Sequence, residues 1–276
     1  MTAITPSGLS ELLARHGISP SRKLGQHFLT DPNLIAKMVK TAGVGPEDRV
    51  LEVGAGVGNL TVALARTGAS VVAYEIDRRL APVLAETVPS HHRVAIRMED
   101  ATKVDWNEAL DGKGWVMVSN LPYGVGTPLL LEMIQRVPAV VRYTVMLQRE
   151  VVQRLLARPG SREYGIPSVI VGLYARIRRS FDVPPQVFFP RPEVFSSVVE
   201  LRRTDPHPDA ELAVSLASAA FGKRRKMLRR SLDPQLVGVE QILPAAGISP
   251  RDRPEVLSPA DFLRLAGAVR LRQQEQ

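Results

Sequence analysis

The chain has 276 residues, 45% of them apolar, a formal net charge of +8 and no cysteine. That excludes a disordered chain, a disulfide-stapled scaffold and any thiolate metal site, and the length suits one large domain with a smaller one. The opening residues carry Glu11, Arg15 and His16, and no run approaches the ~20 apolar residues of a membrane span. A soluble, cytoplasmic protein without a membrane partner is therefore expected, and the basic balance favours a polyanion as partner.

In chain order, residues 1–20 read as a short helical lead ending at Ser19-Pro20. Asp31-Pro32 has the form of an N-cap with proline at the first helical position, opening a helix to about Lys40. Arg49–Val53 is a buried strand that runs into Gly54-Ala55-Gly56-Val57-Gly58-Asn59, followed by a helix from Leu60 to about Arg66. The glycines let backbone approach a ligand that any Cβ would block. A dinucleotide fingerprint requires glycine or alanine where Asn59 stands, and Glu52, just before the turn, would repel a pyrophosphate. The same carboxylate suits an ammonium group, which adenosylmethionine carries without any phosphate.

A second strand, Val71 to Glu75, ends in an acid 21 residues after Gly54, placed to accept ribose hydroxyls. Asp77 reads as the N-cap of the next helix. A third strand, Val94–Met98, leads to Glu99-Asp100-Ala101, with Asp100 placed to accept from an adenine amine. Three acids at the ends of three successive strands, beside a glycine turn, indicate a nucleoside cofactor. Trp115–Val118 is the next strand, and it runs into Asn120-Leu121-Pro122-Tyr123. Pro122 stiffens that exit, leaving the Asn120 amide oxygen and the Leu121 carbonyl beside an aromatic ring. Two such oxygens suit a planar group bearing an NH2.

Helices are expected from Thr127 to Arg136 and from Arg149 to Ala157, and strands at Arg142–Gln148, Ser168–Tyr174 and Ser197–Leu201. The proline-punctuated stretch from Phe181 to Pro192 is expected to be an ordered loop. Alternating strands and helices imply a doubly wound, mostly parallel α/β sheet over residues 1–203. After the linker Thr204–Asp209, residues 204–276 read as a small all-α domain, with breaks at Asp233-Pro234, Ala246-Gly247 and Ser258-Pro259. Its first helix is expected to carry Lys223, Arg224, Arg225, Lys226, Arg229 and Arg230, six basic residues in eight, with Phe221, Leu228 and Leu232 packed inward. A single-sign run of that density points to RNA phosphates.

Taken together, Lys23–Leu29, Glu52–Gly58, Glu75-Ile76-Asp77, Asp100-Ala101, Asn120–Tyr123, Val183–Phe188 and Arg224-Arg225-Lys226 resemble the ribosomal RNA adenine dimethyltransferase family over nearly the whole chain. The resemblance implies a Rossmann-like, S-adenosyl-L-methionine-dependent enzyme. It would place two methyls on N6 of each of two adjacent adenosines near the 3′ end of small-subunit rRNA. The expected partner is that RNA within a pre-ribosomal particle, and the expected state is a monomer. Carried over by position, the cofactor contacts are His27, Leu29, Gly54, Gly56, Glu75, Ile76, Asp100, Ala101 and Asn120. The catalytic set is Asn120, Leu121, Pro122, Tyr123 and Phe188. Tyr123 is expected on one face of the target base and Phe188 on the other, with Phe181 and Phe189 as the competing rings. His27 stands where the family often has Asn, so its contact runs through either backbone or side chain. The alternatives are a large-subunit rRNA methyltransferase, a DNA adenine methyltransferase and a non-catalytic RNA-binding assembly factor.

Overall fold

The computed structural model describes residues 6–88, 93–233 and 236–274. The first five residues of the lead and Pro234 of the expected Asp233-Pro234 break lie outside them. The elements are helix α1 (Pro6–Arg15), strand β1 (Phe28–Leu29), α2 (Pro32–Ala42), β2 (Arg49–Val53), α3 (Asn59–Ala65), β3 (Ser70–Tyr74), α4 (Ala81–Thr87), β4 (Val94–Arg97), α5 (Trp106–Ala109), β5 (Trp115–Asn120), α6 (Gly126–Arg136), β6 (Val140–Gln148) and α7 (Arg149–Leu156). There follow α8 (Ile166–Tyr174), β7 (Ala175–Val183), β8 (Phe188–Phe189), β9 (Ser196–Arg203), α9 (Ala210–Gly222), α10 (Leu228–Ser231), α11 (Val239–Ala245) and α12 (Pro259–Gln274). Helix α2 begins as its sequence signals require: Asp31 Oδ1 accepts from the Leu34 N–H at 2.8 Å and Pro32 takes the first turn.

Seven strands form one sheet in the order β4-β3-β2-β5-β6-β9-β7, and the five from β4 to β6 run parallel. The chain builds outward from β2 to β4, then returns to lay β5 on the other side of β2. That reversal is a topological switch point, where open sheets of this kind bind ligands at the C-terminal strand ends. The β2–β5 ladder stops at Leu51 and Met117. Beyond it the Val53 N–H donates to the Ser119 hydroxyl at 2.9 Å, so the strands part without leaving a buried donor unpaired.

The chain divides into two compact units, one of Met1–Val152 with Ile177–Arg203, the other of Gln153–Arg176 with Thr204–Gln276. This corrects the boundary drawn from sequence after residue 203, because Gln153–Arg176 clusters with the C-terminal helices. The strand expected at Ser168–Tyr174 is also corrected: it is the body of helix α8. A short apolar, β-branched run has no decisive period, and here Pro167 opens the helix while the Gly165 N–H donates to Ser168 Oγ at 3.3 Å. Tyr164, 1% exposed, meets the Phe221 ring edge-on at 6.0 Å and donates its hydroxyl to the Leu257 carbonyl at 2.7 Å.

Two further expectations change. The basic run does not continue one helix. Helix α9 stops at Gly222, residues 223–227 form a turn, and the N–H groups of Leu228 and Arg229 donate to the Asp252 and Pro250 carbonyls, not to carbonyls one helical turn back. Leu228 and Leu232 are nevertheless fully buried. The expected loop from Phe181 to Pro192 instead contains the end of β7, a 3-10 turn at Pro185–Val187 and β8, which pairs antiparallel with β1.

Gly172 in α8 tests the assignment of this segment. A Cβ there would lie 2.5 Å from Pro259 Cγ. Gly172→Ala gains up to about 1 kcal/mol of helix propensity but is expected to lose about 1–3 kcal/mol to overpacking. A net fall in melting temperature is the expected result; a rise would mean that α8 does not pack against Pro259.

Candidate active site

At the switch point the ends of β2, β3, β4 and β5 surround a pocket of about 960 Å³ including its mouth, and the segment from Leu24 to Leu29 adds a further wall. Every cofactor contact expected from sequence lies on its wall: His27, Leu29, Gly54, Gly56, Glu75, Ile76, Asp100, Ala101 and Asn120. So do Leu121, Pro122 and Tyr123. Phe188 does not. Its side chain is 4% exposed within the core of the first unit, and its backbone pairs with Leu29. Phe181 sits under the Lys37 ammonium at 4.1 Å and Phe189 pairs with Phe28. None of the three rings lines the pocket in this structure.

The glycine turn is held from β3. The N–H groups of Gly54 and Ala55 donate to the Tyr74 carbonyl at 2.8 and 3.0 Å, and the Gly56 N–H donates to Glu75 Oε2 at 2.8 Å. Gly56 has φ +57°, and a Cβ on it would come within 2.9 Å of the Phe28 ring. Glu75 Oε1 also accepts from the Asp77 N–H at 2.9 Å. Burial pushes the Glu75 carboxyl up, and these N–H donors offset part of that. Glu75 thus shapes the turn as well as facing the cavity. Asp77 accepts from Gln26 Nε2 at 2.8 Å, which ties the His27 segment to the end of β3. The Asp100 carboxyl is held low, chiefly by the Thr102 hydroxyl donating to its Oδ1 at 2.7 Å.

The Asn120 amide is oriented by a group that sequence reading did not assign. Its Nδ2 donates to the His27 carbonyl at 3.2 Å, which leaves Oδ1 as the acceptor. His27 Nδ1 meets the Pro190 carbonyl at 2.7 Å, a contact that requires the proton on Nδ1. The contact of His27 with Asn120 therefore runs through backbone. The His27 ring lies 5.3 Å from the Tyr123 ring. Tyr123 is anchored at its far end by a 2.6 Å hydrogen bond between its hydroxyl and Ser196 Oγ. Neither Asn120 Oδ1 nor the Leu121 carbonyl is taken by another described group. The two acceptors inferred from sequence are therefore free at the pocket.

Four carboxylates, Glu52, Glu75, Glu99 and Asp100, line the pocket, with no lysine or arginine. Glu52 is 1% exposed, and neither of its oxygens, nor the Thr61 hydroxyl beside it, has a hydrogen-bond partner. Burial pushes its carboxyl up to about 8; the polar Thr61 hydroxyl nearby offsets part of this, and the Glu75 charge adds a lesser upward push. An orphaned acid in an acid-lined pocket fits a cationic ligand group and rejects phosphate.

A mostly parallel sheet with this switch-point pocket has the Rossmann-like form of the adenosylmethionine-dependent methyltransferases. The fold matches a dimethyladenosine transferase from Plasmodium falciparum (25% identity, TM-score 0.72, 87% of this chain and 96% of that one). It also matches the 23S rRNA methyltransferase ErmE (27% identity, TM-score 0.63, 88% and 99%). Within that class the chain belongs to the ribosomal RNA adenine dimethylase family, whose pattern covers residues 19–270. Similar relatives are the ribosomal RNA small subunit methyltransferases A of Thermobifida fusca (40% identical, 95% of each chain) and Mesorhizobium japonicum (43% identical, 95% of this chain and 97% of that one).

The state of Glu52 has a measurable consequence. Its folded pKa of about 8 stands above the ordinary 4.5, so the unfolded chain ionises first and unfolding releases a proton between those two pH values. Stability should therefore fall as pH rises through that window. Glu52→Gln removes the loss, and its stabilisation over the parent should grow from pH 5 to pH 8, by an amount on the order of a few kcal/mol. Parallel melting-temperature curves across this range would show Glu52 already ionised when folded.

Proposed function

We propose that this chain transfers methyl groups from S-adenosylmethionine to N6 of two adjacent adenosines near the 3′ end of small-subunit rRNA, acting on a pre-ribosomal particle. The observation that carries this is the pairing of the Asn120 and Leu121 acceptors with an acid-lined pocket lacking lysine and arginine. Glu75 and Asp100 would hold the ribose and adenine of the cofactor, Ile76 and Ala101 would pack on its base, and Glu52 would meet its ammonium. Bound there, the cofactor supplies an electrophilic methyl group. The small-subunit substrate is favoured by relatives of that name at 40% and 43% identity, against 27% for the large-subunit enzyme.

The chain's own task is then positioning. The N6 lone pair of adenine is delocalised into the ring, so the amine is a weak nucleophile. Accepting both N–H groups at Asn120 Oδ1 and the Leu121 carbonyl favours a pyramidal nitrogen and fixes its direction. Tyr123 supplies a stacking face for the extruded base. No strong general base is required, because the methylated amine is cationic and loses its proton readily.

Methyl transfer from labelled cofactor to small-subunit particles, large-subunit RNA and DNA in parallel tests the reading; labelling of the small-subunit particle alone is expected. Tyr123→Phe should cost only the Ser196 hydrogen bond, about 0.5–1.5 kcal/mol. Tyr123→Ala should cost the stack as well, a further ~1–3 kcal/mol. Asn120→Ala should lower the rate of transfer far more than particle binding. Labelling of the large-subunit RNA, or Tyr123→Phe matching Tyr123→Ala, would overturn the assignment.

For RNA binding we propose the turn at 223–227 and the start of α10, with a division of labour among its cations. Arg224 is committed to Glu255 at 3.1 Å and to the Arg162 carbonyl at 2.8 Å, and Arg229 lies 3.7 Å from Glu240. Lys223, Arg225, Lys226 and Arg230 are exposed and carry no ion pair among the described residues. Replacing Lys223, Arg225 and Lys226 by Ala should flatten the slope of log affinity against log salt by about 0.7–0.9 per lost phosphate contact, read by filter binding of particles. Arg224→Ala should instead lower the melting temperature. An unchanged slope in the triple variant would reduce this turn to a solvated surface.

A further inference from the structure

Two large apolar side chains that the fold leaves exposed, Val194 (44% exposed) and Phe195 (42%), lie immediately before β9, while Val125 (43%) lines the pocket two residues after Tyr123. The registers bring the start of β9 beside the Asn120–Tyr123 corner. Asn120 pairs with Met146 on β6, Gln148 at the end of β6 pairs with Ser196, and Ser196 Oγ holds the Tyr123 hydroxyl at 2.6 Å. Phe195 is therefore one residue from the group that anchors the ring beside the methyl-acceptor site.

Its setting is built. The Arg149 N–H donates to the Phe195 carbonyl at 2.9 Å, fixing the backbone, and the Arg149 guanidinium lies 4.8 Å from the centre of the Phe195 ring. A lone exposed phenylalanine needs no explanation; one that shares its ring with an exposed arginine, next to the residue anchoring Tyr123, offers a contact surface. An aromatic ring paired with a planar cation suits an unpaired nucleobase and its phosphate, since every base has a π-face and an arginine can meet the backbone.

We infer that the Phe195–Arg149 pair is a stacking platform for the nucleobase next to the one being methylated. This rests on the functional reading above, in which the substrate presents two adjacent adenosines. While one base occupies the acceptor site beside Tyr123, its neighbour lies on Phe195 with its phosphate near Arg149. Phe195 is a positioning residue here, with no contact to the reacting atoms.

The test uses the full chain and unmethylated small-subunit particles, with affinity read by filter binding and turnover by labelled methyl transfer. Phe195→Ala should weaken particle binding and raise KM by about fivefold or more, the loss of one base–aromatic stack. The rate at saturating particle and the affinity for S-adenosylmethionine should not change. The salt slope should be unaltered in Phe195→Ala, which removes no charge, and lowered in Arg149→Gln. Phe195→Trp should restore binding, because the platform needs a ring and not this ring. Unchanged binding in Phe195→Ala overturns the proposal, and so does equal loss in the Ala and Trp variants, which would reveal a packing role for the turn. Particle binding is measured independently of turnover, so a parent chain that transfers no methyl would overturn the functional reading while the platform is still decided by affinity.

Discussion

The site exists because β2 and β5 separate. Their ladder ends at Leu51 and Met117, and the next donor in need of a partner, the Val53 N–H, finds the Ser119 side chain. A hydroxyl reaching across leaves more room than a backbone pair, so the crevice opens between the glycine turn and the Asn120–Tyr123 corner without a buried unpaired donor. Gly54 lies against that corner, an added Cβ being 3.4–3.5 Å from Pro122 and the Asn120 carbonyl. The two motifs are adjacent in space because the order of the sheet reverses between them.

Charge is partitioned by place. The chain carries a net +8, yet the pocket is walled by four carboxylates with no lysine or arginine, and Glu52 is buried among them without a hydrogen bond. Holding an acid there is unfavourable for folding unless it stays protonated or meets a cation. A site that retains such a group is suited to a ligand carrying positive charge. In the second unit, by contrast, Lys223, Arg225, Lys226 and Arg230 leave four cations exposed. One chain thus carries an acid-lined pocket and an exposed basic run.

Around the Asn120–Tyr123 corner, precision comes from neighbours that do no chemistry. The His27 carbonyl sets the Asn120 amide, Ser196 holds the Tyr123 hydroxyl, and Gln26 ties the His27 segment to Asp77. Each of these partners lies far along the chain from the group it orients. A change at His27 that preserves its backbone path leaves the Asn120 orientation intact.

The sequence by itself determined the alternation that builds the sheet, the Asp31-Pro32 helix start, and the acids and glycines at the strand ends. These are local signals, carried by period, caps and backbone freedom within a few residues, and from β2 to β6 the strands lie where the pattern put them. What depended on distant partners was decided only by the tertiary structure. Ser168–Tyr174 is a helix because its neighbours in the second unit offer a helical packing face to a run with no period of its own. The basic run breaks into a turn because Asp252 and Pro250 take the N–H groups that a continuous helix would need. Phe188 is in the core, and Phe195 is exposed beside the corner, because antiparallel pairing of β8 with β1 and of β9 with β6 sets which ring is buried. No count of aromatic residues along the chain contains that information, since strand register is a property of two segments and not of one.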